Sequence, residues 1–395
     1  MKALFSLLLS LLFTLLVAPA LAHETLHLDK PKPDLAPTPP MGWNSWNKFG
    51  CNINEEIVRK QADAFVQSGL RDAGYRYIVI DDCWQKSRDA NGFIQADPER
   101  FPSGIQSLTD YVHARGLKFG LYSDAGSLTC GGRPGSAGHE FQDALQYARW
   151  GVDYLKYDWC HTGPRNAEAA YMIMAKALRE SGRDILLSIC EWGSNQPGKW
   201  APAIGHMWRT TGDIRDAWAG PKEWSHGMVD ILDMQADLWR DSGPNHWNDP
   251  DMLEVGNGGM TSTEYESHFS LWAMLAAPLI AGNDLSAMDA DTRRILGNRE
   301  VIAVDQDALG KQAQRIRRTG SLEVWARPLA GGDVAVVLFN RGKTAADMSV
   351  SWAELKLPAN TKAEIKDLWT GATPSAIKGK VAPHGVIMLR ISPRS

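Results

Sequence analysis

The stretch Tyr154–Cys160, YLKYDWC, decides how the rest of the chain is read. Side chains on a strand alternate between faces, so Tyr154, Lys156, Asp158 and Cys160 share one side while Leu155, Tyr157 and Trp159 take the other. A run that begins apolar and ends Lys-Tyr-Asp reads as a buried strand whose carboxyl end reaches a polar site, because an isolated charge is costly to bury without a partner or a task. A structural Lys/Asp pair would account for this one strand equally well. What separates the two readings is whether the pattern recurs.

It recurs seven times: MGWNSWN (Met41–Asn47), YIVIDDCW (Tyr77–Trp84), LKFGLYSD (Leu117–Asp124), ILLSICEW (Ile185–Trp192), HMWRTTGD (His206–Asp213), HWNDPDML (His246–Leu253) and PLIAGNDL (Pro278–Leu285). Helical spacing fills the intervals. One helix is expected over Glu55–Ala73, stopped by Gly74. Others carry Ile105, Leu108 and Val112, run from Phe141 to Trp150, or carry Met172, Met174 and Leu178, and an amphipathic segment spans Glu264–Ala277. From Asp82 onward the polar strand ends stand 22 to 40 residues apart. Alternating strands and helices give parallel βα units, and eight of them give a closed (β/α)₈ barrel. An open doubly wound sheet would announce itself by a Gly-rich phosphate loop, and neither GxGxxG nor GxxxxGK[ST] is present. In a barrel all carboxyl ends of the strands meet at one mouth. Trp46, Asp81, Asp82, Tyr122, Lys156, Asp158, Glu191, Arg209, Asp213 and Asp251 therefore converge, although they span most of the chain.

The remaining segments set the organisation. Residues 1–22 read as a secretory signal peptide, with Lys2, an apolar run from Leu4 to Val17 and the small-residue site Ala20-Leu21-Ala22. A Pro-rich leader occupies 23–37, the barrel 38–309, and an antiparallel β domain 310–395, with strands expected at Leu322–Pro328, Val334–Asn340, Met348–Trp352, Ala363–Trp369 and Val386–Ile391. That last domain holds no cluster of catalytic residue types and reads as a stabilising or sugar-binding accessory. His23-Glu24-Thr25-Leu26-His27 fits the HExxH zinc pattern, but it lies in the leader among prolines, where the helix that pattern needs does not form. No further segment approaches a membrane span. A net charge of -4 without a basic block argues against nucleic acid as a partner. The expected product is a soluble protein, secreted or periplasmic. Its five cysteines, Cys51, Cys83, Cys130, Cys160 and Cys190, contain no CxxC pair and allow up to two disulfides with one thiol left over.

An excess of carboxylates over histidines at a barrel mouth, beside Trp and Tyr, suits glycoside cleavage. One carboxylate attacks or stabilises an oxocarbenium-like carbon and another protonates the leaving oxygen. Asp158 has Lys156 on the same strand face, a cation that favours the ionised form a nucleophile needs. Asp213 has Arg209 four residues earlier and an exposure suited to proton donation. Asp81 and Asp82 are adjacent, so a bend at the strand end is required for both to reach a ligand.

PPMGWNSWN, IDDCW, LYSD, KYDWC, CEW, WRTTGD and WNDPDML, in this order, resemble the α-galactosidases of glycoside hydrolase family twenty-seven. The resemblance runs from about Pro39 through Gln312 and continues more loosely beyond. It implies a (β/α)₈ barrel with an antiparallel C-terminal domain, and hydrolysis of terminal α-galactosides with retention through a covalent galactosyl-enzyme. It assigns Asp158 as nucleophile and Asp213 as acid/base. Asp81, Asp82, Lys156, Glu191, Arg209 and Asp251 would hold sugar hydroxyls, with Trp46 and Tyr122 lining the pocket. It pairs Cys51 with Cys83 and Cys130 with Cys160, and leaves Cys190 free. No metal or organic cofactor is implied, since carboxylates suffice. Glu191 and Trp192 form the wall that would favour an ordinary 2-hydroxyl over an acetamide. β-L-Arabinopyranosides and α-N-acetylgalactosaminides are the substrates of other members, and a galactose-binding barrel without turnover is the non-enzymatic alternative.

Overall fold

In the computed structural model, which describes residues 35–394, eight parallel strands close into a ring. They are β1 (Met41–Asn44), β2 (Tyr77–Val79), β3 (Lys118–Asp124), β4 (Tyr154–Asp158), β5 (Leu186–Cys190), β6 (Met207–Arg209), β7 (Trp247–Asp249) and β8 (Leu279–Ala281). Strands pair in chain order from β1 to β7, and β8 pairs with β1. Leu253 closes the remaining seam: its N–H donates to Ile280 O at 2.8 Å and its carbonyl accepts from Gly282 N–H at 2.9 Å. The stretch read as a signal peptide, the His23–His27 motif and the leader as far as residue 34 lie outside the described residues. Among the described residues, no helix is long and apolar enough to cross a membrane.

Large apolar side chains plug the amino ends of the strands. Tyr77, Tyr154, Leu186, Met207 and Trp247, each at the start of its strand, form one buried cluster. Gly120 lies level with Tyr154, where a Cβ would come within 2.8 Å of Val79 Cγ2 and 3.1 Å of the Tyr154 ring. Ala36 closes this end, its carbonyl accepting from Trp247 Nε1 at 2.9 Å. With one end of the ring filled in this way, the polar residues are left to the other.

The helices follow the apolar spacing, with three informative departures. First, α1 (Glu55–Gln67), capped by Asn54 Oδ1 accepting from Ile57 N–H at 2.8 Å, stops short of the expected Ala73. Gly69 (φ 80°) turns the chain into a separate turn, Leu70–Ala73, in a backbone conformation that glycine adopts at little cost. Second, α2 (Gly104–His113), α3 (Glu140–Arg149) and α4 (Ala167–Glu180) precede β3, β4 and β5, but no helix of that length joins β5 to β6. Two short 3₁₀ turns, Pro197–Lys199 and Ala201–Ala203, stand there, which is why Glu191 and Asp213 are only 22 residues apart. Trp200 from this linker stacks on Tyr171 of α4, which stacks on Trp159, with ring centroids 5.7 and 5.6 Å apart.

The third departure links the two domains. After α5 (Met228–Gln235), the helix α6 (Ser262–Met274) starts at a Thr261/Glu264 capping box. It is not amphipathic as expected: from Ser267 to Met274 every residue is buried. Its outer side is covered by the C-terminal sheet, which contributes Trp325, Ala335, Val337, Phe339 and Met388 to the same core. The helices α7 (Ala290–Leu296) and α8 (Arg299–Asp305) lead into that sheet. It contains β9 (Gln314–Thr319), β10 (Leu322–Pro328), β11 (Val334–Asn340), β13 (Ala363–Asp367) and β15 (Val386–Pro393), in the order β9-β10-β11-β15-β13. A separate pair is formed by β12 (Ala346–Ser349) and β14 (Lys378–Val381). Strand alternation divides the faces: Trp325 and Val337 meet the barrel, while Val324, Val336 and Leu338 form the domain's own core.

The sequence pattern misses β9 because Arg315 and Arg318 do not read as strand residues. Both pair with Asp233 of α5, at 2.5 and 3.2 Å, so their polarity serves the domain contact. It also misses β14, and it places β12 too late, at Met348–Trp352.

Phe339 is fully buried and packs edge-on against Trp218 at 5.8 Å. Phe339→Ala is expected to cost about 3–5 kcal/mol, seen as a lowered unfolding midpoint. An unchanged midpoint would mean that the sheet does not support the barrel through this ring.

Candidate active site

At the carboxyl ends of the barrel strands lies a cavity of about 590 Å³. Trp46, Asp81, Asp82, Tyr122, Lys156, Asp158, Trp192, Arg209, Asp213 and Asp251 all line it. Glu191 does not, and here the sequence reading is corrected. Its carboxylate is fully buried behind the wall, with Oε2 accepting from Asn195 N–H at 2.6 Å and Asn195 Nδ2 at 2.7 Å. The left-handed backbone at Trp192 (φ 57°) marks the reversal by which the chain brings Trp192 and Ser194 to the cavity in its place.

Asp158 ends β4. Its Oδ2 accepts from the Tyr122 hydroxyl at 3.0 Å and its Oδ1 from Trp159 N–H at 2.9 Å. Lys156 does not pair with it as the shared strand face suggests. Its Nζ lies 2.9 Å from Asp81 Oδ2 instead, because Asp81, just past the end of β2 and two strands away, is also buried and also needs a cation. Burial pushes the Asp158 carboxyl up to about 6, against the pull of Lys156 and with a further push from Asp213.

Both members of the Asp81–Asp82 pair reach the cavity because regular pairing stops at Val79. Asp81 accepts from Asn44 Nδ2 at 2.7 Å and from Asp82 N–H at 2.9 Å. Asp82 accepts from Cys83 N–H at 2.6 Å and Gly131 N–H at 2.7 Å, and Cys83 then turns left-handed (φ 76°). Disulfides hold this arrangement: Cys51 is bonded to Cys83, and Cys130 to Cys160. The second brings the loop carrying Gly131 against the carboxyl end of β4. Asp124 supports the same loop, accepting from Gly126 N–H at 2.6 Å and Cys160 N–H at 2.9 Å, and burial raises its carboxyl to about 8. Asp124, Cys130 and Cys160 lie close enough to resemble a metal cluster, but the two sulfurs are joined to each other.

Arg209 organises the opposite wall. Its Nη2 lies 3.0 Å from Asp213 Oδ1 and 2.9 Å from Asp251 Oδ2. Asp213 sits four residues past the end of β6, in the loop, with its side chain a third exposed (33%). Burial alone would raise its carboxyl; Arg209, Lys156 and a hydrogen bond from Trp224 outweigh this and hold it below the usual carboxylate range. Asp251, left-handed at φ 82°, accepts from Ile214 N–H at 2.8 Å and so ties the Asp213 loop to β7. Beneath Arg209 the Cys190 thiol is free and buried, kept neutral by burial. The sequence reading missed Asn47, Gly131, Ser194, Gly212, Trp224 and Met252 as lining residues. Of these, Trp224 lies in a loop with no strand or helix pattern to point to it.

Of the five carboxyls that line the cavity, Asp81, Asp82, Asp158 and Asp251 are deeply buried and Asp213 stands at the mouth, an arrangement that can supply an attacking group and a proton donor. A family profile described as "Alpha galactosidase A" matches residues 38–307, and one described as "Alpha galactosidase C-terminal beta sandwich domain" matches 319–391. The chain belongs to the α-galactosidase family. It is 53% identical over 377 residues to α-galactosidase A of Cellvibrio japonicus, covering 91% of this chain and 93% of that protein. The structure of α-galactosidase I from Mortierella vinacea superposes with a TM-score of 0.87 at 40% identity, covering 91% and 99% of the two chains. An α-galactosidase from Saccharomyces cerevisiae solved with raffinose gives a TM-score of 0.87 at 30% identity, covering 92% and 100%.

Removing the cation from the buried Lys156–Asp81 pair leaves a carboxylate uncompensated. Lys156→Ala is expected to destabilise the fold by about 3–5 kcal/mol, measured by chemical denaturation. A loss of activity without loss of stability would show the pair to be dispensable for folding.

Proposed function

We infer that this α-galactosidase removes terminal α-galactosyl residues by double displacement, with Asp158 as nucleophile and Asp213 as acid/base. The observation that carries this reading is the contrast between the two carboxyls of one cavity. Asp158 is deep and held at both oxygens, whereas Asp213 is exposed at the mouth, where a leaving group would be. In the first step an Asp158 oxygen bonds to the anomeric carbon, the glycosidic bond breaks, and Asp213 gives its proton to the departing oxygen. In the second, Asp213 takes a proton from water, whose oxygen displaces Asp158 and releases galactose with its configuration retained. Asp81, Asp82, Lys156, Arg209 and Asp251 supply the charged partners for sugar hydroxyls. Trp192, without Glu191, forms the wall that favours a 2-hydroxyl over an acetamide. The relative solved with raffinose supports oligosaccharides of that type as substrates. The two disulfides support export to an oxidising compartment; the exported protein should begin at His23, and N-terminal sequencing that finds Met1 would refute cleavage.

Asp158→Asn should lower hydrolysis of an aryl α-galactoside at least about a thousandfold. Asp213→Ala should lose about 10²–10⁴-fold on melibiose but far less on aryl galactosides with acidic leaving groups, which need little protonation. Uniform losses would contradict the acid/base role.

The pH profile follows from the two carboxyls. In the free site the last proton sits on Asp158 and leaves near pH 6, while Asp213 is held low. Catalysis needs that proton on Asp213, so the productive form is a tautomer of the singly protonated pair. Above about 6 the pair has none to give. The kcat/KM value should therefore fall about tenfold per pH unit on that side, and a profile that climbs through neutrality would rule out the assignment.

A further inference from the structure

An irregular loop, residues 210–227, carries Asp213 between β6 and α5. Within it the Asp213 carbonyl accepts from His226 N–H at 2.8 Å and the His226 carbonyl from Arg215 N–H at 2.9 Å, so the loop is braced across its own width. The barrel holds it at two points: Asp251 accepts from Ile214 N–H, and Asp216 Oδ1 accepts from the Tyr265 hydroxyl of α6 at 2.8 Å. A third hold comes from the other domain. Trp218 lies flat on the His384 ring, with centroids 4.3 Å and planes 8° apart.

His384 is itself tightly fixed. It stands between β14 and β15, left-handed at φ 56°, a conformation that costs a residue with a side chain energy its surroundings must supply. Its carbonyl accepts from the buried Ser267 Oγ at 2.6 Å, and its N–H donates to Gly342 O at 3.2 Å. Its Nδ1 donates to Glu264 Oε1 at 2.7 Å, and Glu264 is held in turn by the capping box that starts α6. Ser267 and Glu264 belong to the barrel, so a ring from the C-terminal domain takes its orientation from α6. Cohesion of the domains does not require this, since Phe339 and its neighbours already bury an apolar seam there. What the ring adds is a fixed flat face against the loop that bears Asp213. A proton donor must stand within about 3 Å of the oxygen it serves, and an irregular loop has no strand register to place it.

We propose that His384 is a positioning residue for proton transfer: its ring, oriented by Glu264, clamps Trp218 and so fixes where the loop presents Asp213. The proposal rests on the acid/base role given above to Asp213, and it gives the C-terminal domain a part in catalysis as well as in stability.

The test compares kcat/KM on melibiose with that on an aryl α-galactoside bearing an acidic leaving group, because only the first needs full protonation by Asp213. Misfolded enzyme lowers both values equally, so their ratio does not depend on the folded fraction. His384→Asn keeps a donor near Nδ1 and tolerates the left-handed backbone, but removes the ring. In this variant the ratio of melibiose to aryl values should fall about fivefold, while the inhibition constant of galactose stays at the wild-type value. His384→Phe, which keeps a flat ring, should restore most of the ratio, and Trp218→Leu should lower it as His384→Asn does. An unchanged ratio in both His384→Asn and Trp218→Leu overturns the proposal, and so does a ratio in His384→Phe as low as in His384→Asn. Weakened galactose inhibition in step with the ratio would place the effect in the sugar site and overturn it too. Failure of the underlying reading would look different: Asp213→Ala itself would show the wild-type ratio.

Discussion

Charge compensation governs this protein. Five aspartates, Asp81, Asp82, Asp158, Asp213 and Asp251, line one cavity with only Lys156 and Arg209 as cations. Buried carboxylates left without cations or N–H donors would take up protons or unfold the site. Each cation is therefore shared: Lys156 sits on Asp81 while its field reaches Asp158, and Arg209 bridges Asp213 and Asp251. Backbone N–H groups of Asp82, Cys83, Gly131, Trp159, Ile214 and Met252, the Asn44 amide and the Tyr122 hydroxyl add further donors. The left-handed turns at Cys83, Trp192 and Asp251 stand beside these contacts. Backbone strain is thus concentrated where the strands give up their regular pairing to point groups at the ligand.

The same balance sets the ionisation of the two central carboxyls. Asp158 is raised by burial, which the field of Lys156 offsets only in part, whereas the burial of Asp213 is outweighed by Arg209 and its carboxyl is lowered. Geometry and charge distribution are therefore linked through the choice Lys156 makes between two aspartates. That choice follows from the register of β4 beside β3 and from where β2 ends.

The barrel was legible in the sequence because a ring of parallel strands repeats one signal, an apolar run closing on a polar residue, and repetition compensates for the weakness of each instance. The convergence of Asp158, Asp213, Lys156 and Arg209 followed from that topology. Three features were not legible, each for a physical reason. Glu191 turns behind the wall because of a local reversal at Trp192, which residue identity does not encode. Lys156 chooses Asp81 over Asp158, and strand-face reasoning within β4 could not see a competitor on another strand. The helix α6 reads as amphipathic only if water is its outer neighbour, and the C-terminal sheet takes that place.

The small domain is the missing outer layer of the large one, and Trp325, Val337 and Phe339 shield α6 as the ring itself shields its inner side. A polypeptide ending where the barrel ends would carry an oily stripe with nothing against it and would clump with its own kind. The two domains are thus inseparable as a folding unit, and any shuffling of modules in this architecture must move them together.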